Sequence, residues 1–316
     1  MKRTLVTIIV IPFAVLLFAS SALPWGSATH AYIDDHLGLR GPGNLRELYG
    51  GMAPDIFNYL FSNPTQQAYL YSQTHAVSFL KVWNDAQCLP EKPYAYGFAS
   101  HNDLWGADFT AHHNGQFFGQ GRGYVIAKAE MLQGTLNRLL RSLGLRNVPG
   151  EVTLVIAENL VENGIDILVK RRDPLIGIKV SSSALLRGPD FPLLLLKAFA
   201  GGFAADLHIS NAQAARLITS NEMEFRKTMI LYGQALTQDE ATALQLVSQQ
   251  LAELAVDFLG TYGITLPPGV GVADLTPKIQ LGTQQAMLIC AGDYLTEIGM
   301  TIQFVNGQLV SHGISY

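Results

Sequence analysis

The chain has 316 residues, of which 48% are hydrophobic and 15% are charged. This length can bury a large core in one or two domains, and the apolar content excludes a disordered chain. With 21 basic and 25 acidic residues the net charge is −4, so the overall charge gives no indication of nucleic-acid binding. The histidines are concentrated before residue 114, and this concentration needs an explanation. The six in that part are His30, His36, His75, His101, His112 and His113.

Residues 1–24 have the three parts of a secretory signal peptide. Lys2 and Arg3 precede an apolar run over residues 5–19, and small residues follow at 20–22. The run is shorter than the roughly 20 residues of a membrane-spanning helix, which favours a signal peptide over a membrane anchor. We therefore expect the protein to be exported, to the periplasm or the cell exterior. Removing this segment takes two basic and no acidic residues and leaves a net charge of −6.

Apolar residues at helical spacing recur through the rest of the chain, which predicts a mainly α fold. The segments with this pattern are residues 124–143, 152–169, 191–200 and 238–259. Two pairs have the spacing of a helix N-terminal capping box, in which a side chain at each end caps a backbone group at the other. These pairs are Thr237 with Glu240, and Ser210 with Gln213 before residues 214–218.

The second half of the chain gives three further predictions. Asn306-Gly307 lies between β-prone runs and predicts a terminal β-hairpin. A turn-rich stretch at residues 187–192 predicts a division into a helical domain at 25–187 and a C-terminal helical region of unassigned role at 188–316. Cys88 and Cys290 allow one long-range disulfide, which export would favour.

Residues 98–115 contain several side chains of the types that bind metal ions. If this segment is one helix, positions 101, 105, 108 and 112 lie on one face. These positions hold His101, Trp105, Asp108 and His112. Imidazole nitrogens and a carboxylate on one stripe suit zinc. His113 lies one residue off the stripe, and Asp103 points elsewhere on ideal helix geometry. The alternative is a helix surface of hydrogen-bonded polar side chains.

Three shorter segments extend this pattern towards the N-terminus. Trp25-Gly26-Ser27-Ala28-Thr29-His30 directly follows the signal peptide, Asp55 follows Pro54, and His75 precedes an apolar run. Taken alone, Asp55 is typical of a turn or a helix N-cap, and His75 is typical of a core histidine. Together with residues 98–115 they form an ordered series: Trp and His, then Asp, then His, then His, Asp and His.

This series resembles the superfamily of zinc-dependent phospholipases C and single-strand zinc nucleases. Those proteins are all-α, hold up to three zinc ions in a cleft, and cleave phosphodiester bonds by attack of a metal-bound hydroxide on phosphorus. The resemblance implies that Trp25, through its amine and carbonyl oxygen, binds zinc together with His30. It implies the same for Asp55, His75 and His101. Asp55 is in addition the implied catalytic general base.

The sequence departs from the family pattern at the bridging aspartate. The usual spacing from His101 would place that residue at 105, which is Trp105 here. Asp108 lies one turn further along the same predicted face and is the substitute. His112 or His113 then corresponds to the third ligand of this cluster.

A second departure concerns the last pair of ligands, a histidine and an acid one turn later. No histidine follows His113 until His208. Glu158 and Glu162 lie four residues apart in a predicted helix, with Asp166 four residues further on, and Glu158 and Glu162 are the candidates to replace the missing pair. The alternative is a solvated acidic helix face that pairs with Lys170.

The resemblance implies an exported, zinc-dependent hydrolase of phospholipase C type that acts on phospholipid head groups and contacts the membrane peripherally. The implied fold is a multi-helix bundle with a C-terminal helical extension. Two alternatives stay open. One is a nuclease or nucleotidase of the same superfamily, which the acidic net charge disfavours, since a groove that follows phosphates is usually basic. The other is a non-catalytic exported helical protein with a degenerate metal site.

Overall fold

The computed structural model of the protein describes residues 25–37, 44–58, 60, 63–119 and 121–316. This part of the chain is mainly α-helical and contains no β-strand, so the predicted fold class is confirmed. The α-helices are α1 (Ser27–Asp35), α2 (Leu45–Met52), α3 (Pro64–Ser72), α4 (Leu80–Asp85), α5 (Lys92–His101), α6 (Tyr124–Ser142), α7 (Gly150–Arg172), α8 (Ile176–Leu185), α9 (Asp190–Asp206), α10 (Asn211–Thr237), α11 (Glu240–Thr261), α12 (Val272–Cys290) and α13 (Tyr294–Ser311).

Three short segments have other helical forms. Ala53–Phe57 is a 3₁₀-helix, and Gln73–Val77 and Phe109–His113 are π-helical. Single π-turns often occur at functional sites, because the extra residue in the turn redirects the side chains around it. Each of these three segments carries at least one candidate ligand, so the irregular backbone coincides with the candidate site.

The predicted signal peptide lies outside the described residues. None of the helices in the described ranges has the length and apolarity needed to cross a bilayer.

Helix α7 lies at the centre of the fold. It packs against α1, α6, α11 and α12, and every residue from 160 to 169 is buried. A helix that is surrounded on all sides places its polar side chains in the interior as well as its apolar ones. The acidic residues Glu158, Glu162 and Asp166 of α7 are therefore held inside the protein.

The remaining helices pack around this centre in one continuous core. Helix α2 packs against α1, α5 and α8, and α10 packs against α8, α9 and α11. The core includes Trp25 from the start of the described chain and Ile314 from its end. The division at residues 187–188 stays a prediction.

Most of the predicted helices are confirmed. Helices α6, α7, α9 and α11 cover the predicted segments except for residue 143 and residues 238–239, and the Ser210 side chain accepts a hydrogen bond from the Gln213 amide at the start of α10. The capping box of Thr237 with Glu240 is wrong, because Thr237 is the last residue of α10. Asp239 caps α11 instead and accepts from the Thr242 amide, since its carboxylate is one turn from that donor.

The predicted β-hairpin is wrong, because Asn306 and Gly307 lie inside α13. The buried residues Ile298, Val305 and Leu309 recur at helical spacing along this segment. The Asn-Gly pair faces solvent. Its local preference for a turn is outweighed by the free energy gained when the apolar face of the helix is buried.

The two cysteines are not paired. Cys88 is exposed and Cys290 is buried, and both are free thiols. No disulfide therefore contributes to the fold, and apolar burial holds the core together.

Candidate metal centre

Five buried side chains from five separate places in the fold form what we call the inner cluster. His30 lies on α1, and Asp55 lies on the 3₁₀-helix that follows α2. His75 lies on the first π-helical segment and His101 ends α5. Asp108 directly precedes the second π-helical segment. Each is at most 1% exposed.

The ligand atoms of the inner cluster are close together. Nε2 of His101 lies 2.8 Å from Oδ2 of Asp108, and Nε2 of His30 lies 3.2 Å from Oδ1 of Asp108. Nε2 of His75 lies 3.4 Å from Oδ1 of Asp55 and 3.2 Å from Nε2 of His101. Tetrahedral ligands about 2.0–2.1 Å from zinc are about 3.3 Å from one another. The inner cluster therefore has the spacing of a metal site, as two triads that share His101.

Backbone carbonyls fix which nitrogen of each ring carries the hydrogen. Nδ1 of His101 lies 2.7 Å from the carbonyl oxygen of Gly51, and Nδ1 of His75 lies 3.1 Å from that of Tyr71. Nδ1 of His75 also lies 2.8 Å from the Thr74 hydroxyl, which itself donates to the Pro54 carbonyl at 3.1 Å. A carbonyl oxygen only accepts, so each Nδ1 donates and each Nε2 of a neutral ring is left with a lone pair. The two Nε2 lone pairs face each other, and a cation between them would relieve their repulsion.

Electrostatics agree with neutral imidazoles beside an uncompensated acid. Burial lowers the pKa of His30 well below its usual range, and the neighbouring histidines lower it further. Burial also lowers the pKa of His101, against the opposing charge of Asp55. Burial raises the pKa of Asp108 well above its usual range, with further increases from neighbouring carboxylates.

The inner cluster lacks positive charge. In the described ranges, no lysine or arginine forms an ion pair with Asp55 or Asp108. Both oxygens of Asp108 and Nε2 of His30 make no hydrogen bond within that part of the chain. Buried carboxylates are normally paired or bind metal, and mixed imidazole and carboxylate donors suit zinc. A divalent cation therefore fits this donor set.

The single helix predicted through His101 and His112 is wrong. Helix α5 ends at His101 because the Asn102 side chain accepts hydrogen bonds from the amides of Leu104 and Trp105, an Asx-type turn that competes with the helix. The chain then re-enters helical structure after Gly106. The turn, rather than a helical stripe, brings Asp108 to His101.

Trp105 has no place in the inner cluster. Its ring packs against Phe79 and stacks on His312 at a centroid separation of 4.6 Å. Because the helix is interrupted, residue 105 packs among aromatic side chains instead of facing the ligand atoms.

The acidic face of α7 is not solvated, so that alternative is wrong. Glu158 and Glu162 are 3% and 0% exposed. Both oxygens of Glu162 make no hydrogen bond with the described residues. Burial raises the pKa of Glu162 well above its usual range, and the charges of Glu158 and Asp55 raise it further. Glu162 therefore adds an unpaired carboxyl beside the inner cluster.

Glu158 lies further out, beside His112. Burial raises the pKa of Glu158, and the nearby His112 opposes this effect. One Glu158 oxygen and Nε2 of His112 are buried without a hydrogen bond to the described residues. These two orphaned groups extend the polar interior from the inner cluster towards the π-helical segment Phe109–His113.

His112 and His113 pair with Asp103, a residue that ideal helix geometry places away from the predicted stripe. Nδ1 of His112 and Nε2 of His113 each lie 3.5 Å from Oδ1 of Asp103, and the Tyr71 hydroxyl donates to Oδ2 at 3.1 Å. Hydrogen bonds from both histidines lower the pKa of Asp103, although burial opposes them. The Asn102-Asp103 pair before Gly106 is a turn signal that the sequence contained.

Trp25 lies beside the cluster with its indole fully buried. The indole nitrogen donates to the Ala107 carbonyl at 3.0 Å and to the Thr110 hydroxyl at 3.2 Å. Trp25 and Asp55 also line the same small cavity. The start of the described chain is thus tied to the turn that carries Asp108.

No family model, curated protein or solved structure matches this chain. The assignment of these residues to a metal centre therefore depends on their geometry and chemistry.

Proposed function

We propose that the protein is an exported, zinc-dependent phosphodiester hydrolase of phospholipase C type, with a helical bundle built around the inner cluster. The observation that carries the proposal is the convergence of three imidazole Nε2 atoms and two carboxylates, which are fully buried and have no lysine or arginine partner among the described residues. Glu162 adds a further unpaired carboxyl. A purely structural cluster of this composition would leave several buried polar groups unsatisfied, at a cost of about 1–3 kcal/mol each.

The inner cluster would hold the first ion, and Glu162 is placed to contribute to it or to a second one. Bound zinc supplies a Lewis acid that polarises a phosphodiester and lowers the pKa of a water molecule. Asp55 is the residue to hold that water and accept its proton, because it belongs to the cluster and also lines a cavity. The Asn58 amide donates to Oδ1 of Asp55 at 2.7 Å and keeps the carboxylate in this orientation.

The cavity beside Asp55 supports a substrate with an apolar part. It has a volume of about 50 Å³, and its other walls include Met229 of α10 and Leu251 of α11. A pocket that encloses a whole small molecule has roughly 300–1,000 Å³, so this cavity admits only a portion of a substrate. A hydrocarbon segment next to a phosphodiester fits this lining, which supports a phospholipid at a membrane surface over a nucleic acid.

The test compares the wild type with His101→Ala and, as a control outside the cluster, His36→Ala. We expect the wild type and His36→Ala to contain stoichiometric zinc and to hydrolyse phosphatidylcholine, and His101→Ala to lose both properties. Cleavage of single-stranded DNA instead would favour the nuclease alternative. Hydrolysis of neither substrate by the zinc-loaded wild type would favour a non-catalytic metal-binding protein. Absence of bound zinc in the wild type would overturn the proposal.

A further inference from the structure

Asp166 lies on α7 one turn beyond Glu162, but its surroundings are different. It is fully buried, and its two oxygens accept four hydrogen bonds. Oδ1 accepts from the amide and the hydroxyl of Thr29 at 2.8 and 2.6 Å. Oδ2 accepts from the Ala28 amide at 2.9 Å and from the Tyr232 hydroxyl at 2.6 Å. A carboxylate offers about four lone-pair directions, so no acceptor capacity is left for a metal ion.

The two amides that Asp166 accepts belong to the first turn of α1. Amides at a helix start have no partner within the helix, and the N-cap of α1 is Gly26, which has no side chain to cap them. Asp166 caps this helix from another part of the chain. A Cβ at residue 26 would lie 2.6 Å from the Asp166 carboxylate, so glycine there permits the contact.

The capped turn determines where two candidate ligands lie. Trp25 precedes it directly, and His30 follows Thr29 at the next position of α1. On the opposite side, the Thr110 hydroxyl accepts from the Trp25 indole and contacts the Thr301 hydroxyl of α13 at 2.8 Å. The start of α1 is therefore held between α7 and the segment that carries Asp108.

We infer that Asp166 is a positioning residue of the metal centre, which fixes the first turn of α1 and so directs His30 towards Asp108. Tyr232 of α10 completes the anchor by donating to Asp166 and, at 3.2 Å, contacting the Asn163 side-chain oxygen. This gives part of the 188–316 region a role at the site. The inference depends on the proposed function only in that His30 binds the ion.

The experiment measures Zn²⁺ affinity of the full chain by competition with a chromophoric chelator. We expect Asp166→Asn to weaken Zn²⁺ binding by about 10–100-fold, the usual effect of removing an outer-shell partner, and Tyr232→Phe to weaken it less. Matched controls are Glu222→Gln and Tyr49→Phe. These residues are equally buried and hydrogen-bond to each other rather than to the first turn of α1. The controls should lose stability without losing Zn²⁺ affinity.

A second readout does not need the metal. In metal-free protein, at least one of the amides of Ala28 and Thr29 should exchange with solvent at least about tenfold faster in Asp166→Asn than in Glu222→Gln, because asparagine keeps one acceptor oxygen and presents an NH2 donor to the other amide. Wild-type Zn²⁺ affinity in both Asp166→Asn and Tyr232→Phe would overturn the positioning role. If the wild type itself binds no Zn²⁺, the proposed function fails, and unchanged exchange of these two amides would then overturn the anchor as well.

Discussion

Two polar networks in this protein are similarly buried but differ in their charges: one contains an acid paired with a base, and the other contains acids beside neutral imidazoles. In the first, Glu222 is 0% exposed, accepts from the Tyr49 hydroxyl at 2.8 Å and pairs with Arg187 at 2.7 Å. In the second, Asp108 is also 0% exposed, but its closest polar neighbours are the neutral rings of His30 and His101. Among the described residues, the first network contains a lysine or arginine partner and the second does not.

This difference distinguishes Glu222, an acid that stabilises the fold, from Asp108, an acid that we propose binds a metal ion. Burying a charge costs several kcal/mol unless a partner of opposite charge accompanies it. Arg187 supplies that partner for Glu222, so the chain alone completes the network. The inner cluster presents lone pairs and carboxylates to the same point, and no lysine or arginine of the described residues pairs with them, so under the proposed function a bound metal ion completes it. Four predictions test this contrast, from the largest expected effect to the smallest.

The largest effect should come from removing the cation of the first network. Arg187→Met leaves Glu222 buried and unpaired, and we expect a loss of about 3–5 kcal/mol in the free energy of unfolding, measured by chemical denaturation. Zinc content should be unchanged, because the inner cluster is untouched. The control is Arg171→Met, which breaks an exposed pair with Glu240 and should cost at most about 1 kcal/mol. A loss of zinc in Arg187→Met would contradict the separation of the two networks.

The second prediction concerns His112 and Asp103, which lie next to the inner cluster and form a charge pair. Burial lowers the pKa of His112, but the hydrogen bond and charge of Asp103 outweigh this and raise the pKa to about 9. A pKa raised above the unfolded value of 6.5 gives a stabilisation that is complete below about pH 6.5. That stabilisation is lost as the pH rises to about 9, and the loss amounts to at most about 3 kcal/mol.

Thermal unfolding of metal-free protein across this pH range checks the pair. Wild type should lose stability as the pH rises, and His112→Gln should show a smaller loss. His36→Gln, whose ring contacts only the Tyr32 carbonyl and ring in the described structure, should behave as wild type. Equal slopes in wild type and His112→Gln would show that Asp103 and His112 are not a charged pair.

The third prediction is the effect of removing the metal. A ligand present at 100 times its Kd stabilises the folded state by about 2.7 kcal/mol, so a chelator should lower the Tm of the zinc-bound protein by several degrees. His101→Ala should show no such response, because it lacks the ligand that the two triads share. A chelator-insensitive Tm in the wild type would place the inner cluster in the same class as the Glu222 network.

The residue types of the candidate site could be predicted from the sequence more completely than their arrangement in space. The order of Trp25, His30, Asp55, His75 and His101 was visible in the chain, because ligand types are read directly from residues. Helix positions followed from apolar spacing, which the fold preserves.

What the sequence did not reveal depends on contacts between distant residues. The exception is the break after His101, which depends on a local hydrogen bond of the Asn102 side chain with the following amides and which the Asn102-Asp103 turn signal indicates. The burial of Glu158 and Glu162 arises because other helices enclose α7. The polar residues of α7 alone would suggest a solvent-exposed helix face. The use of Asp166 as a cap for α1 joins residues 138 positions apart. Neither the burial of these glutamates nor the cap has a signature in the local sequence pattern.

The smallest effect should come from an orienting residue beside the cluster. Asn58→Leu removes the amide that holds Asp55, and we expect Zn²⁺ affinity to fall about tenfold, or about 1.4 kcal/mol, with little change in the stability of the metal-free protein. Asn63→Ala is the matched control. Its side chain caps α3 at the Gln66 amide, so the variant should lose about 1 kcal/mol of stability and bind Zn²⁺ normally.

This pair of variants tests the contrast at its finest level. Substituting a residue that stabilises the fold should lower the free energy of unfolding and leave Zn²⁺ affinity unchanged. Substituting a residue that orients a ligand should lower Zn²⁺ affinity and leave the free energy of unfolding unchanged. If Asn58→Leu and Asn63→Ala both lower stability and both leave Zn²⁺ affinity unchanged, Asn58 belongs to the structural class. Asp55 would then keep its orientation through His75 and His101 alone, whose Nε2 atoms lie 3.4 and 3.7 Å from its Oδ1.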